Sequence, residues 1–410
     1  MKKKEIVIIF GIILLLGLLY FLIHKNTPSI KYSIGSKELT LENNLNEEIL
    51  IGKEILEEEL PFIATHIKTP ESVRAVYMSS WVAGTKNLRS NIVTKIDETE
   101  LNSVVIDIKD YSGRISYLPT DPKLIKIGSG EKRIADIREF IKLLHDKNIY
   151  VIGRLSTFQD KYFVEKNPQF AVKKESDKNS VWKDRKGISW LDASSQDVWD
   201  YTLSIARDAY SQGFDEINFD YIRFPSDGNM KDIYYPYSEG KIKHEVMKSF
   251  FIFLDQELHK DGITISADLF GMTTTNTDDL GIGQVLEDAL PHFDFIAPMV
   301  YPSHFPATWN GLSSPAKEPY KVIYATMKRA VERTEALGLS KQKIRPWLQD
   351  FNIGATYTAE MVRAQITATN DAGLNSWMLW DASNTYTYSA LKKELDTNND
   401  QALVNQDPEV

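Results

Sequence analysis

Eight runs of strand-forming residues, most of them followed by a stretch with helical periodicity, constrain this chain more than any other feature. The predicted strands cover 73–80 (VRAVYMSS), 103–110 (SVVIDIKD), 149–156 (IYVIGRLS), 216–224 (EINFDYIRF), 264–271 (TISADLFG), 293–301 (FDFIAPMVY), 344–351 (IRPWLQDF) and 375–383 (NSWMLWDAS). Between them lie stretches such as IADIREFIKLLHDKN, DVWDYTLSIARDAYSQG, KHEVMKSFFIFLDQELHKDG, YKVIYATMKRAVERTEALG and TAEMVRAQITATNDAG, several ending in Gly or Asn as a helix C-terminus should. Eight strands alternating with helices over about 310 residues is the count and size of an α/β fold of the (β/α)8 TIM-barrel type. A doubly wound sheet is the alternative, but its usual Gly-rich first turn is missing.

The flanking segments are different in kind. Lys2, Lys3 and Lys4 precede a run from Ile6 to Ile23 that is apolar apart from glycines and Tyr20, which predicts an N-terminal transmembrane helix with its N-terminus in the cytoplasm. A signal peptide is the rival reading, but no small-residue cleavage pattern follows the run. The expected organisation is a membrane anchor over 1–24, an acidic stalk over 25–70, a barrel over 71–392 and a disordered tail over 393–410. The barrel would then stand outside the cell on a single-pass anchor. A net charge of -9 provides no basic stripe for nucleic acid, and the absence of cysteine excludes disulfides, thiolate metal sites and cysteine nucleophiles.

Chemistry in a barrel of this type sits at the C-terminal strand ends. Asp107, Lys109, Arg154, Asp220, Arg223, Asp268, Tyr301, Trp347, Gln349, Asp350, Trp380 and Asp381 gather at those ends, and the strand starts are largely apolar. Strand parity separates these residues. In NFDYI, Asn218 and Asp220 share one face and Ile217, Phe219 and Tyr221 the other; in TISADLFG, Ser266 and Asp268 stand opposite Ile265, Ala267 and Leu269. The apolar sets should face the helices, turning Asp220 and Asp268 into the barrel mouth on neighbouring strands, their carboxyls roughly 5 to 7 Å apart. Like charges so close push one pKa upward, leaving one acid and one base.

Such a pair is what cleavage of a glycosidic bond requires. Asp220 is the expected nucleophile, because Arg223 nearby should favour its ionised form, and Asp268 its partner. Trp81, Tyr221, Tyr301, Trp309, Trp347 and Trp380 would offer platforms for sugar rings, although single aromatic residues more often pack in a core. Asp110, Asp350 and Asp381 have a second reading as loop caps. Arg223 either neutralises Asp220 or binds substrate hydroxyls or an acidic sugar.

VVIDIKDYSG (104–113), FDEINFDYIRFPSDG (214–228), ISADLFG (265–271), APMVYPSHF (297–305), RPWLQDF (345–351) and WMLWDASNTY (377–386) carry a resemblance over about 72–392. The chain resembles a family of glycoside-hydrolase-like proteins catalogued as a domain of unknown function. The resemblance implies a barrel fold and a carbohydrate substrate, with Asp220 of the FDYIRFP motif as the catalytic residue.

Other chemistries find less support. The seven histidines show no HxH or HExxH spacing, although His292 and His304 flank the sixth strand. Neither a GxSxG elbow nor a P-loop is present. Asp107, Asp220 and Asp268 offer oxygen ligands for a divalent cation, the lesser reading beside an enzyme needing no metal or cofactor. Two non-enzymatic alternatives stand: a glycan-binding surface protein with a degenerate site, and an envelope scaffold working through its stalk.

Overall fold

The computed structural model describes residues 62–393. The predicted anchor, most of the stalk and nearly all of the tail lie outside the described residues; no helix among those described is long and apolar enough to cross a membrane. Among the described residues, packing makes one unit that begins at Ile63.

The eight predicted runs form strands β1 (Arg74–Met78), β2 (Ser103–Lys109), β3 (Tyr150–Ser156), β4 (Glu216–Asp220), β5 (Thr264–Phe270), β6 (Phe295–Met299), β7 (Trp347–Gln349) and β8 (Trp377–Trp380). All pair in parallel in chain order, and β8 closes on β1, leaving no open sheet edge. The longer helices are α1 (Lys86–Asp97), α2 (Ile137–Asp146), α3 (Gln196–Gln212), α4 (Lys243–His259), α5 (Pro319–Ala336) and α6 (Ala359–Asp371). This is a (β/α)8 barrel. In α2, Ile137, Phe140, Ile141 and Leu144 are buried, the i, i+3, i+4, i+7 stripe of a helix seated on a sheet. Gly213 ends α3 at φ 115°, a conformation that a side chain would strain.

Side-chain alternation along the strands builds two cores. Val76, Val104, Ile106, Ile217, Phe219, Ile265 and Leu269 pack outward beneath the helices. Ala75, Tyr77, Val105, Tyr150, Ile152, Ala297, Trp347 and Met378 fill the barrel itself. Ile67, from the end of the predicted stalk, also packs on this inner core, and its N–H donates to Asp215 Oδ1 (2.8 Å). Close packing with the barrel therefore begins before residue 71.

Two departures from regular strands matter for the site. The β2–β3 register shifts between Asp107 and Lys109, so that Asp107 stands opposite Arg154 but Lys109 stands opposite Leu155, an outward residue. β4 ends at Asp220, earlier than expected, because Tyr221 takes a left-handed φ of 50°. Tyr221 therefore leaves the apolar face shared by Ile217 and Phe219, and its ring meets Trp190 edge-on at 5.9 Å.

Candidate active site

The inward face of β4 reads Glu216, Asn218, Asp220, polar from bottom to top, and each residue anchors one level of a network inside the barrel. At the bottom, Arg345 Nη1 donates to both Glu216 oxygens (2.9 and 3.1 Å), while Ser266 Oγ (2.6 Å) and Tyr150 Oη (3.1 Å) also donate to that carboxylate. This fully buried ion pair lies at the strand starts, which were expected to be largely apolar.

One level up, Asn218 Nδ2 donates to Ser266 Oγ (3.0 Å) and to Asp268 Oδ1 (2.9 Å). Trp347 Nε1 donates to the same Asp268 oxygen (2.8 Å). With two N–H groups on Oδ1, the proton of a neutral Asp268 belongs on Oδ2. Burial, and then the charge of Asp220, push the Asp268 carboxyl well above the usual carboxylate range, against the opposing pull of Arg154.

Arg154 organises the mouth. It donates to Asp220 Oδ2 through Nε (3.0 Å) and Nη2 (2.5 Å), and to Asp107 Oδ1 through Nη1 (2.6 Å). Its Nε also lies 4.0 Å from Asp268 Oδ2, so the Asp220 and Asp268 Oδ2 atoms are separated by no more than those two Nε distances together. Burial acts to lower the Arg154 pKa, but the Asp220 and Asp107 carboxylates more than offset it and hold the guanidinium well above its ordinary range. The second Asp220 oxygen accepts the Tyr221 backbone N–H (2.6 Å), so every hydrogen bond at this carboxylate runs toward it. Asp107 accepts Tyr77 Oη (2.6 Å), and burial raises its pKa despite Arg154. Three carboxyls therefore surround one guanidinium.

The other predicted site residues divide by placement. Trp380 stacks on Tyr77 (4.1 Å) and lies 5.0 Å from the Arg154 guanidinium, beside the cluster. Tyr301 is buried, and Asp268 and Asp220 add to burial in raising its pKa. Trp347 meets Trp380 edge-on within the barrel core, so it orients Asp268 rather than offering a sugar platform. Lys109, turned outward by the register shift, pairs with Asp160 (2.6 Å), far from the role expected of it. Gln349 is consumed by the loops, accepting from Ser303 N–H (3.1 Å) and donating to the Phe351 carbonyl (2.9 Å). Asp350 accepts the N–H (2.8 Å) and hydroxyl (2.7 Å) of Thr387, and Asp381 those of Ser383 (2.7 and 2.8 Å); both cap loops. Arg223 makes no ion pair with Asp220; Arg154 holds that position. His292 binds Asp255 (2.8 Å), and His304 packs against Tyr301.

Tyr77 and the Glu216–Arg345 pair escaped the reading of the sequence. Parity along 216, 218 and 220 was the available signal for Glu216. Among the described residues no group of three or more His, Asp or Glu is arranged to hold a metal ion, and at the mouth Arg154 stands between the carboxylates.

The chain is a closed (β/α)8 barrel whose polar cluster lies at the C-terminal strand ends, the face on which sites of this fold are built. Residues 75–386 match the model of a family described as "Putative glycosyl hydrolase domain", and the chain belongs to that family. Among solved structures, a hypothetical protein from Ruminiclostridium thermocellum is 34% identical, with 50% of this chain and 98% of that one covered and a TM-score of 0.44. The glycoside hydrolase domain of PgaB (BpsB) from Bordetella bronchiseptica is 14% identical over 81% of this chain and 98% of its own, with a TM-score of 0.56, which shows the same fold. A chitinase from Chromobacterium violaceum is 15% identical over 78% of this chain and 97% of its own, with a TM-score of 0.45. No curated protein sequence matches the chain.

Proposed function

We propose that the protein is a glycoside hydrolase that cleaves an extracellular or cell-wall polysaccharide, with Asp268 as general acid and Asp220 as the attacking carboxylate. The observation that carries this reading is the contrast between two carboxyls on adjacent strands. One is buried with its pKa raised and only N–H donors on Oδ1; the other is bound by a guanidinium and a backbone N–H. In the reaction, Asp268 Oδ2 gives its proton to the glycosidic oxygen as the bond to the anomeric carbon breaks. Asp220 attacks that carbon to form an ester, which water then cleaves while Asp268 Oδ2 takes the water's proton; in the single-step alternative Asp220 takes the proton of the water that attacks. Trp380 and Tyr301 border the same cluster and supply apolar faces for a sugar ring.

The test is release of reducing ends from a panel of cell-wall and exopolysaccharide glycans by the full-length protein, with Asp220→Asn and Asp268→Asn beside it. The enzyme reading expects cleavage by the wild type, and variants that bind the same glycan without cutting it. Binding without cleavage by the wild type would establish the glycan-binding alternative instead. The lysine-flanked apolar run at 6–23 supports a location on the outer face of a membrane. Recovery of the intact chain in the soluble fraction of cells would overturn that location.

A further inference from the structure

Arg223 is 8% exposed, and its guanidinium is surrounded by the rings of Phe270 (4.6 Å), Trp190 (5.0 Å) and Tyr221 (5.4 Å). Its one hydrogen bond runs from Nη1 to the Phe224 carbonyl (2.9 Å), and among the described residues it has no ion-pair partner. The nearby acids are engaged elsewhere. Asp220 serves Arg154 and the Tyr221 N–H, while Asp184 accepts Gln159, Trp190 and the backbone of Lys186 and Ile188. Asp227 attracts Arg223 only through space. Burial lowers the pKa of Arg223, the sign of a cation desolvated without full compensation.

The unused atoms are not sealed away. Arg345 Nε and Nη2, at the barrel floor, are buried without a partner, but Nε and Nη2 of Arg223 are not among the sealed atoms. Nε–H and Nη2–H point the same way within the guanidinium plane and form the edge that matches a carboxylate through two parallel hydrogen bonds. Three residues before it stands Asp220, and the Tyr221 ring feels the charges of both.

We propose that the Nε/Nη2 edge of Arg223 is a subsite for the carboxylate of a uronic acid, so that the glycan taken by this site is acidic. The sugar in this assignment rests on the glycan-cleaving reading above; the anion does not. A sulfate or phosphate substituent carries charge as well, but the planar two-donor edge favours a carboxylate over a tetrahedral group.

The experiment measures binding, which keeps it separate from catalysis. The full-length protein, its Asp220→Asn variant and Arg223 variants of each are titrated with oligosaccharides of polygalacturonate, hyaluronate and alginate, each beside its carboxyl-reduced counterpart, and with sulfated glycans. A uronate oligosaccharide should bind about ten- to a hundredfold tighter than its reduced form, the span expected for a paired charge-assisted contact. Arg223→Met keeps the stem among the rings and should fold with an equal or higher melting temperature while losing that preference. Arg223→Lys should keep only part of it. The proposal falls if no uronate binds, if Arg223→Met retains the preference, or if only sulfated glycans respond to the substitution. Arg223-dependent uronate binding in a protein that cleaves nothing would sink the hydrolase reading and leave the subsite standing.

Discussion

The floor and the mouth of the barrel are built from the same parts and balanced in opposite ways. On the floor, one arginine, Arg345, meets one carboxylate, Glu216, with a serine and a tyrosine donating to the same group. At the mouth, one arginine, Arg154, faces Asp107, Asp220 and Asp268. Buried charge is tolerated when it is paired, and the floor sets one cation against one carboxylate, although Arg345 Nε and Nη2 are left without a partner. An excess of carboxyls over cations breaks that balance and forces proton uptake, which is the condition that general acid catalysis needs. Strand four supplies a carboxylate to both levels, so the contrast lies in the partners and not in the residue type.

The sharpest way to break this contrast is to neutralise one carboxyl at each level. Asp268→Asn should lower turnover about 10²- to 10⁴-fold, the usual worth of a positioned proton donor, measured as initial rates of reducing-end release. Its stability should not fall. An acid whose folded pKa is raised contributes stability that is complete below its unfolded pKa and lost as pH rises through the folded value, so at neutral pH asparagine removes a burden. Glu216→Gln should do the reverse. It leaves Arg345 charged and buried without a carboxylate, at a cost of about 3–5 kcal/mol in urea unfolding, with turnover per folded molecule unchanged. If both substitutions reduced stability alike, the mouth would be a second structural ion pair and nothing more.

The two levels also differ in how far they could be read from the chain. Uninterrupted alternation made the barrel legible, and parity along β4 and β5 turned Asp220 and Asp268 inward, where they share Arg154. Parity failed at Lys109 because the register shift beside it leaves no mark in SVVIDIKD. Nearness in the sequence points Arg223 at Asp220, but three positions is an odd step along a strand, and the carboxylate is held instead by Arg154 from the neighbouring strand, while β4 ends at Asp220 where Tyr221 turns left-handed. Asp350 and Asp381 cap their own loops, a local role that Asp after a strand often takes. The floor pair stayed hidden because Glu216 and Arg345 are 129 residues apart, and spacing alone joins nothing at that distance.

Asp350 gives a third measure, intermediate in size. Burial raises its pKa to about 6, with no cation to offset it. The folded state therefore holds a proton that the unfolded chain has released, and stability should fall by about 1.4 kcal/mol per pH unit between roughly pH 4 and 6 through this group. Asp350→Asn should remove that component, seen as a shallower decline of urea-unfolding free energy across the interval. An unchanged slope would mean that the carboxyl is ionised in the cap and does not belong with the strained carboxyls of the mouth.

The smallest expected effect tests whether Trp347 tunes Asp268 or only fills the core. Its indole N–H favours the ionised carboxylate, opposing the burial and the Asp220 charge that raise the pKa. Activity that depends on protonated Asp268 should decline as pH rises through that raised pKa. Trp347→Phe removes the opposing donor, so the pKa should rise further and the alkaline limb of the kcat profile should move up by about one pH unit, with the acid limb unmoved. A cavity left by the smaller ring would instead lower kcat by one factor at every pH. A uniform loss would make Trp347 a packing residue, whereas a shifted alkaline limb would make it the positioning residue that sets the pH at which the mouth gives up its proton.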